Sequence, residues 1–187
     1  MRDYRGLLEH ELVTLVKTGD TASEEELYKR YQGAVERYCF LLMNDENAAR
    51  DATQDTFLTA GRSIKGLRND LSFRAWLFRI ARNTCMIEAR RTSRQLRLEE
   101  IDEVRDDGTP LDIAITSELK ESIQEALARL RPIYREALLL REYESLTYRE
   151  IADATESSLA SVKFRIHKAR RSLAAMLERY LDERNEP

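Results

Sequence analysis

Apolar residues recur at helical spacing along almost the whole chain, and this one pattern decides what the chain can fold into. Leu8, Leu12, Leu15 and Val16 share a helical face, and Gly19 stops that segment. Ser23 and Glu26 stand in capping-box register for a second helix. That helix aligns Leu27, Tyr31, Ala34, Tyr38 and Leu41 and ends near Asn44. A third helix is expected over 47–62, where Ala49, Ala52, Thr56 and Ala60 suit close packing. Gly61 and Gly66 punctuate a loop over 63–71. A fourth helix follows over 72–94, with Trp76, Leu77, Ile80, Ala81 and Thr84 inward. No alternating apolar–polar run of useful strand length occurs, so the expected class is all-α.

The pattern breaks once. Residues 95–115 lose the periodicity and contain the breaker run Asp106-Asp107-Gly108-Thr109-Pro110. Helices resume over 116–129, and Pro132 fits the first turn of the next, which carries Tyr134, Ala137, Leu138 and Arg141 to Tyr143. The expectation is two small helical domains, 1–95 and 116–187, joined by a flexible linker over 96–115.

Charge follows the same division. The 187 residues carry a net charge of -3, which hides a partition. Residues 62–97 hold 10 basic and 2 acidic side chains, whereas residues 98–118 hold 1 basic and 8 acidic. A concentrated basic block is what a polyanion-binding surface requires, because each neutralised phosphate releases condensed counterions. A solvated basic helix face has the same composition. A second acid-free basic stretch holds Lys163, Arg165, Lys168, Arg170 and Arg171. Two basic stretches separated by an acidic one suit two nucleic-acid-binding lobes.

Several classes drop out. No apolar run approaches the ~20 residues of a membrane span, and MRDYRGLLEHEL has no signal-peptide core, so a cytoplasmic protein without membrane insertion is expected. Cys39 and Cys85 suggest no disulfide framework, and His10 and His167 are too far apart for a His-rich metal site. Six glycines include no phosphate-binding loop. Without a nucleophile–base pair, phosphate loop or metal cluster, no enzyme activity and no cofactor are expected.

Thr147-Tyr148-Arg149-Glu150 is a capping box opening a short helix with Ile151 and Ala152 inward. After Thr155-Glu156-Ser157 the chain restarts, and Ser158 can cap a long helix. Val162, Ile166, Ala169 and Leu173 form its buried face, and Lys163, Phe164, His167, Lys168 and Arg171 lie opposite. Short helix, tight turn, basic amphipathic helix is the geometry that lays a second helix in the major groove, its N-terminal residues near the base edges. An ordinary helical hairpin with a charged surface is the plain alternative.

These residues carry a family resemblance. Ala52-Thr53-Gln54-Asp55-Thr56-Phe57, followed by Phe73-Arg74-Ala75-Trp76-Leu77-Phe78-Arg79-Ile80-Ala81-Arg82-Asn83, resembles the second conserved region of bacterial sigma factors. Tyr148-Arg149-Glu150-Ile151-Ala152, followed by Ser161-Val162-Lys163-Phe164-Arg165-Ile166-His167-Lys168-Ala169-Arg170, resembles their fourth region. A chain with these two regions alone resembles the extracytoplasmic-function (group IV) sigma factors of the sigma-70 superfamily.

The resemblance implies a non-enzymatic subunit that binds core RNA polymerase and directs initiation at chosen promoters. Asp51, Gln54, Asp55 and Leu58 would meet the clamp helices of the β′ subunit, and the fourth region would meet the β flap. The loop with Lys65, Arg68, Asn69 and Asp70 would hold an unpaired base of the minus-10 element. Arg74, Arg79, Arg82 and Asn83 would contact its backbone, as single-strand capture needs cations beside flat surfaces. Phe73 and Trp76 would support the base, though Trp76 fits the inward stripe equally well. Lys163, Phe164, His167 and Lys168 would read the minus-35 element, with Ser158, Ser161 and Arg171 beside them and Arg165 and Arg170 on phosphates. The acidic linker would thread the polymerase's basic channels, and an anti-sigma factor would be the regulator.

One departure stands out. The turn of this family's helix-turn-helix commonly holds glycine and then an apolar residue, where this chain has Glu156 and Ser157. A positive φ at Glu156 would be strained. Two other readings compete: a stand-alone helix-turn-helix regulator using 1–95 as a sensor, and a helical enzyme acting on nucleic acid. A sensor has no need of the basic block at 62–97, and an enzyme of that kind needs clustered carboxylates, which here fall in the linker.

Overall fold

The computed structural model describes residues 3–96 and 117–185, and every regular element among them is helical. The chain divides into two compact units, Met1–Asp106 and Asp107–Pro187. The linker expected over 96–115 lies, apart from Leu96, outside the described residues.

The first unit contains α1 (Glu9–Lys17), α2 (Thr21–Met43), α3 (Glu46–Ser63) and α4 (Phe73–Leu96), with two 3-10 turns, Ile64–Gly66 and Asp70–Ser72, between the last two. α1 ends where Gly19 takes φ 94°. The cap of α2 is Asp20, not Ser23: its side chain accepts the Ser23 N–H at 2.8 Å, and Ser23 is buried inside the first turn. The carboxylate directly after Gly19 reaches the free N–H groups before the hydroxyl three residues on can serve them. Asn44 closes α2 in the left-handed region, φ 55°, a conformation asparagine tolerates. Asp45 then caps α3 through Ala48 N–H at 2.9 Å. Gly61 lies inside α3 rather than in the loop.

Small residues let α3 sit close against its neighbours. Ala49, Ala52, Thr56 and Ala60 are buried, and the Thr56 and Thr84 hydroxyls meet at 2.8 Å between α3 and α4. Larger groups fill the rest: Leu12 and Val13 of α1, Val35 and Tyr38 of α2, Leu77 and Phe78 of α4. Tyr38 and Phe78 pack edge to face with centroids 5.3 Å apart. Cys39 and Cys85 are both buried and are not joined in a disulfide.

The second unit contains α5 (Ser117–Arg129), α6 (Pro132–Glu142), α7 (Tyr148–Ala154) and α8 (Leu159–Asn185). Pro132 occupies the first turn of α6. Leu127, Leu139, Leu140, Leu146, Ile151 and Ile166 build the core. Arg135 is only 8% exposed. Its guanidinium donates to the carbonyls of Ala128 and Leu130, closing the C-terminal end of α5, and burial pulls its pKa below the usual arginine value. Among the described residues no helix is long and apolar enough to cross a membrane.

Candidate nucleic-acid and polymerase interfaces

In the second unit the helix-turn-helix forms from local chemistry. Thr147 accepts the Glu150 N–H at 3.3 Å, and Glu150 accepts the Thr147 N–H at 2.7 Å, so two free donors at the start of α7 are satisfied reciprocally. The turn then does what its sequence makes costly. Glu156 adopts φ 50°, and the Ser157 N–H donates to the Ala152 carbonyl at 2.9 Å. That bond, spanning a left-handed residue, is a Schellman closure. The Thr155 and Ser157 hydroxyls pair at 2.7 Å in place of an apolar plug. Ser158 caps α8 by accepting the Ser161 N–H at 3.2 Å.

Val162, Ile166 and Ala169 anchor α8 in the core. Ser158, Lys163, Phe164, His167, Lys168 and Arg171 are exposed together, and Ser161 and Arg165 are half-buried at the edges of that face. Arg170 is exposed but already paired. Its Nε donates to Glu142 at 3.0 Å, and this bond raises its pKa above the usual arginine value. Tyr134 of α6, half-buried, and Arg131, the residue that precedes that helix, border this face unannounced by any motif. The Tyr134 ring stands 6.4 Å from Phe164, with Arg131 lying 5.2 Å over Tyr134 and Lys168 5.7 Å over Phe164.

In the first unit, Lys65, Arg68 and Asn69 are exposed on the connection before α4. Asp70 is engaged. It accepts from Lys17 and from the Thr14 hydroxyl at 2.8 Å. The Lys17 bond holds its carboxyl below the usual range against the opposing pull of burial, and Thr14 adds to the lowering. Lys17 also donates to the Leu67 carbonyl, so α1 holds this connection on either side of Arg68 and Asn69. Asn69 is occupied at its side-chain oxygen, which accepts the Leu71 N–H at 3.2 Å.

Phe73 is a correction. It is 3% exposed, wedged between Tyr31 at 5.5 Å and Trp76 at 5.8 Å, and so presents no face to a base. As the first residue of α4 it points down onto α2 instead. Leu71, which follows no helical stripe, is the exposed apolar group there at 71%. An apolar residue stranded in a polar loop was the sequence signal for it. Trp76 is half-buried; along α4, Arg79 and Asn83 are exposed and Arg74 and Arg82 half-buried.

On α3, Asp51, Gln54, Asp55 and Leu58 are all exposed on one face, Leu58 at 48%. Gln54 and Leu58 also line a groove of about 750 Å³ between α2 and α3. Its wall includes Tyr28 and Phe57, edge to face at 4.7 Å. Among the described residues, no three or more His, Cys, Asp or Glu side chains are grouped to hold a metal ion.

Known proteins share this arrangement. Residues 27–95 match the family described as Sigma-70 region 2, and residues 120–173 match Sigma-70, region 4. The chain is 33% identical over 174 residues to the ECF RNA polymerase sigma factor SigE of Mycolicibacterium smegmatis, covering 89% of this chain and 67% of that one. It is 32% identical over 179 residues to the ECF RNA polymerase sigma-E factor of Haemophilus influenzae, covering 88% and 92%. The sigma factor RpoE of Bartonella quintana, solved in complex with the anti-sigma factor NepR, superposes with a TM-score of 0.72 at 21% identity, covering 82% of this chain and 96% of that one.

Proposed function

The chain belongs to the sigma-70 family, as a sigma factor of the extracytoplasmic-function type that directs promoter-specific initiation by RNA polymerase, and from that premise we propose which of its residues do the work. Residues 116–187 read the minus-35 element through Lys163, Phe164, His167 and Lys168. The observation that carries this is the continuous exposed face of α8, set directly behind a capped short helix and a closed turn. Arg165 and Arg171 flank it as phosphate contacts, and Ser158 and Ser161 sit at the helix start, where backbone N–H groups favour an anion.

Residues 1–95 bind core polymerase and open the minus-10 element. Asp51, Gln54, Asp55 and Leu58 form an acidic face with one apolar anchor, suited to the β′ clamp helices. Lys65, Arg68 and Asn69 lie beside the exposed Leu71, which takes the base-supporting role that buried Phe73 cannot. Arg79 and Asn83 track the displaced strand, and the clamp from Lys17 to Asp70 and Leu67 keeps the connection in shape for capture. Residues 96–115 act as the linker that runs between the two functions.

The protein works in the cytoplasm beside its polymerase, with core polymerase and promoter DNA as partners. The RpoE–NepR complex supports regulation by an anti-sigma factor as well.

The test is transcription in vitro with bacterial core polymerase and a pooled promoter library. Transcripts that depend on the protein and share a two-element sequence support the assignment. Lys163→Ala and His167→Ala should weaken upstream recognition with core binding intact, and Asp51→Arg with Asp55→Arg should do the reverse. Equal loss of polymerase binding in all three variants would count against the division of labour.

A further inference from the structure

We propose that Phe164 selects a thymine in the upstream element by contact with its 5-methyl group, and that Tyr134 positions the Phe164 ring for this; the inference rests on α8 reading that element. Phe164 is the sixth residue of α8 and 53% exposed, amid Lys163, His167 and Lys168 on the polar face of the helix. A phenylalanine has no polar atom, so it cannot answer the donor and acceptor pattern of a base edge. The one apolar group a base pair shows in the major groove is the thymine methyl.

The ring is held before any DNA arrives. Tyr134 meets it at a 72° interplanar angle, Lys168 lies over one side, and Arg131 lies over Tyr134 in turn. An aromatic pair flanked by two cations loses little freedom on binding, and the cations can still reach phosphates on either side. Lys163 and His167, being polar, take the neighbouring base edges, so Phe164 adds a discrimination that they cannot supply.

The experiment uses the full chain assembled with core polymerase. A duplex library randomised in the upstream element gives the preferred sequence. The selected duplex is then made again with each thymine of that element replaced in turn by deoxyuridine, which removes the methyl and nothing else. One substitution should weaken wild-type binding about fourfold, the effect of burying a single methyl group. The same substitution should be neutral in Phe164→Ala and in Phe164→Ser, two variants at an exposed position. Tyr134→Ala should shrink the methyl effect, whereas Tyr134→Phe should keep it, which a general loss of stability would not reproduce.

A selected element without thymine overturns the proposal, as does a methyl effect of equal size with and without the Phe164 ring. Weaker polymerase binding by Phe164→Ala, with an unchanged sequence preference, also overturns it and assigns the ring to a protein contact. Failure to select any element at all refutes the parent reading and this one with it.

Discussion

The turn of the helix-turn-helix is built against its own sequence, and Glu156→Gly should relieve it. Glu156 sits at φ 50°, where a side chain with a Cβ is disfavoured by roughly 1–2 kcal/mol. Glycine removes that cost but widens the unfolded ensemble by about 0.4–1 kcal/mol. The net expectation is a stabilisation of about 0.5–1 kcal/mol. For a unit of this size that corresponds to a rise in Tm of roughly 2–8 °C. Glu156 is exposed and its side chain takes no part in the turn closure, which runs through the backbone of Ala152 and Ser157. Trp76, the one tryptophan of the chain, lies in the other unit and provides an internal control. Circular dichroism of the full chain should show the later loss of helix that belongs to α5–α8, while the tryptophan fluorescence transition stays where it was. Glu156→Ala separates two causes: it deletes the carboxylate but keeps the Cβ, so it should not stabilise. A lower helix-loss midpoint in Glu156→Gly, or an equal gain in Glu156→Ala, would refute the strain argument.

Three further outcomes are expected. Thr56→Val keeps the shape but removes the hydroxyl bonded to Thr84 between α3 and α4; it should cost about 1 kcal/mol, read by urea unfolding through Trp76 fluorescence. Arg135→Met leaves the Ala128 and Leu130 carbonyls without their guanidinium donor and should destabilise the second unit by about 1–3 kcal/mol, read by helix loss on heating. Lys17→Met releases Asp70, whose lowered pKa means that the bond contributes stability above the usual aspartate range near ~4 and loses it as pH falls through the folded value. The wild type should therefore be more stable than Lys17→Met at neutral pH, and its advantage should shrink in acid to what the Lys17 bond to the Leu67 carbonyl supplies, as thermal midpoints against pH will show.

Much of the architecture could be read from the chain because it is written in local terms. The apolar stripes of α2, α4 and α8, the Thr147–Glu150 box and the Pro132 start each depend on residues within a few positions of one another. The choice of Asp20 over Ser23 as a cap was harder, since both residue types cap and it is the position of Asp20, directly after Gly19, that brings its carboxylate to the Ser23 N–H. The burial of Phe73 was within reach of the sequence, since it stands three and four residues before Trp76 and Leu77 and so continues the inward stripe of α4. The partners of Asp70 and Arg170 are 53 and 28 residues distant. No spacing rule reaches that far, and both charges looked free to meet DNA.

The Lys17 clamp also bears on how such a protein can be divided. The part that matches the sigma-70 region 2 family starts at residue 27, and a chain trimmed to that start would keep every residue proposed to touch the minus-10 element. It would nonetheless lose Thr14 and Lys17, which hold Asp70 and the Leu67 carbonyl from α1. The shortest sequence that carries the recognisable motif is therefore shorter than the shortest piece expected to hold its DNA-facing connection in shape.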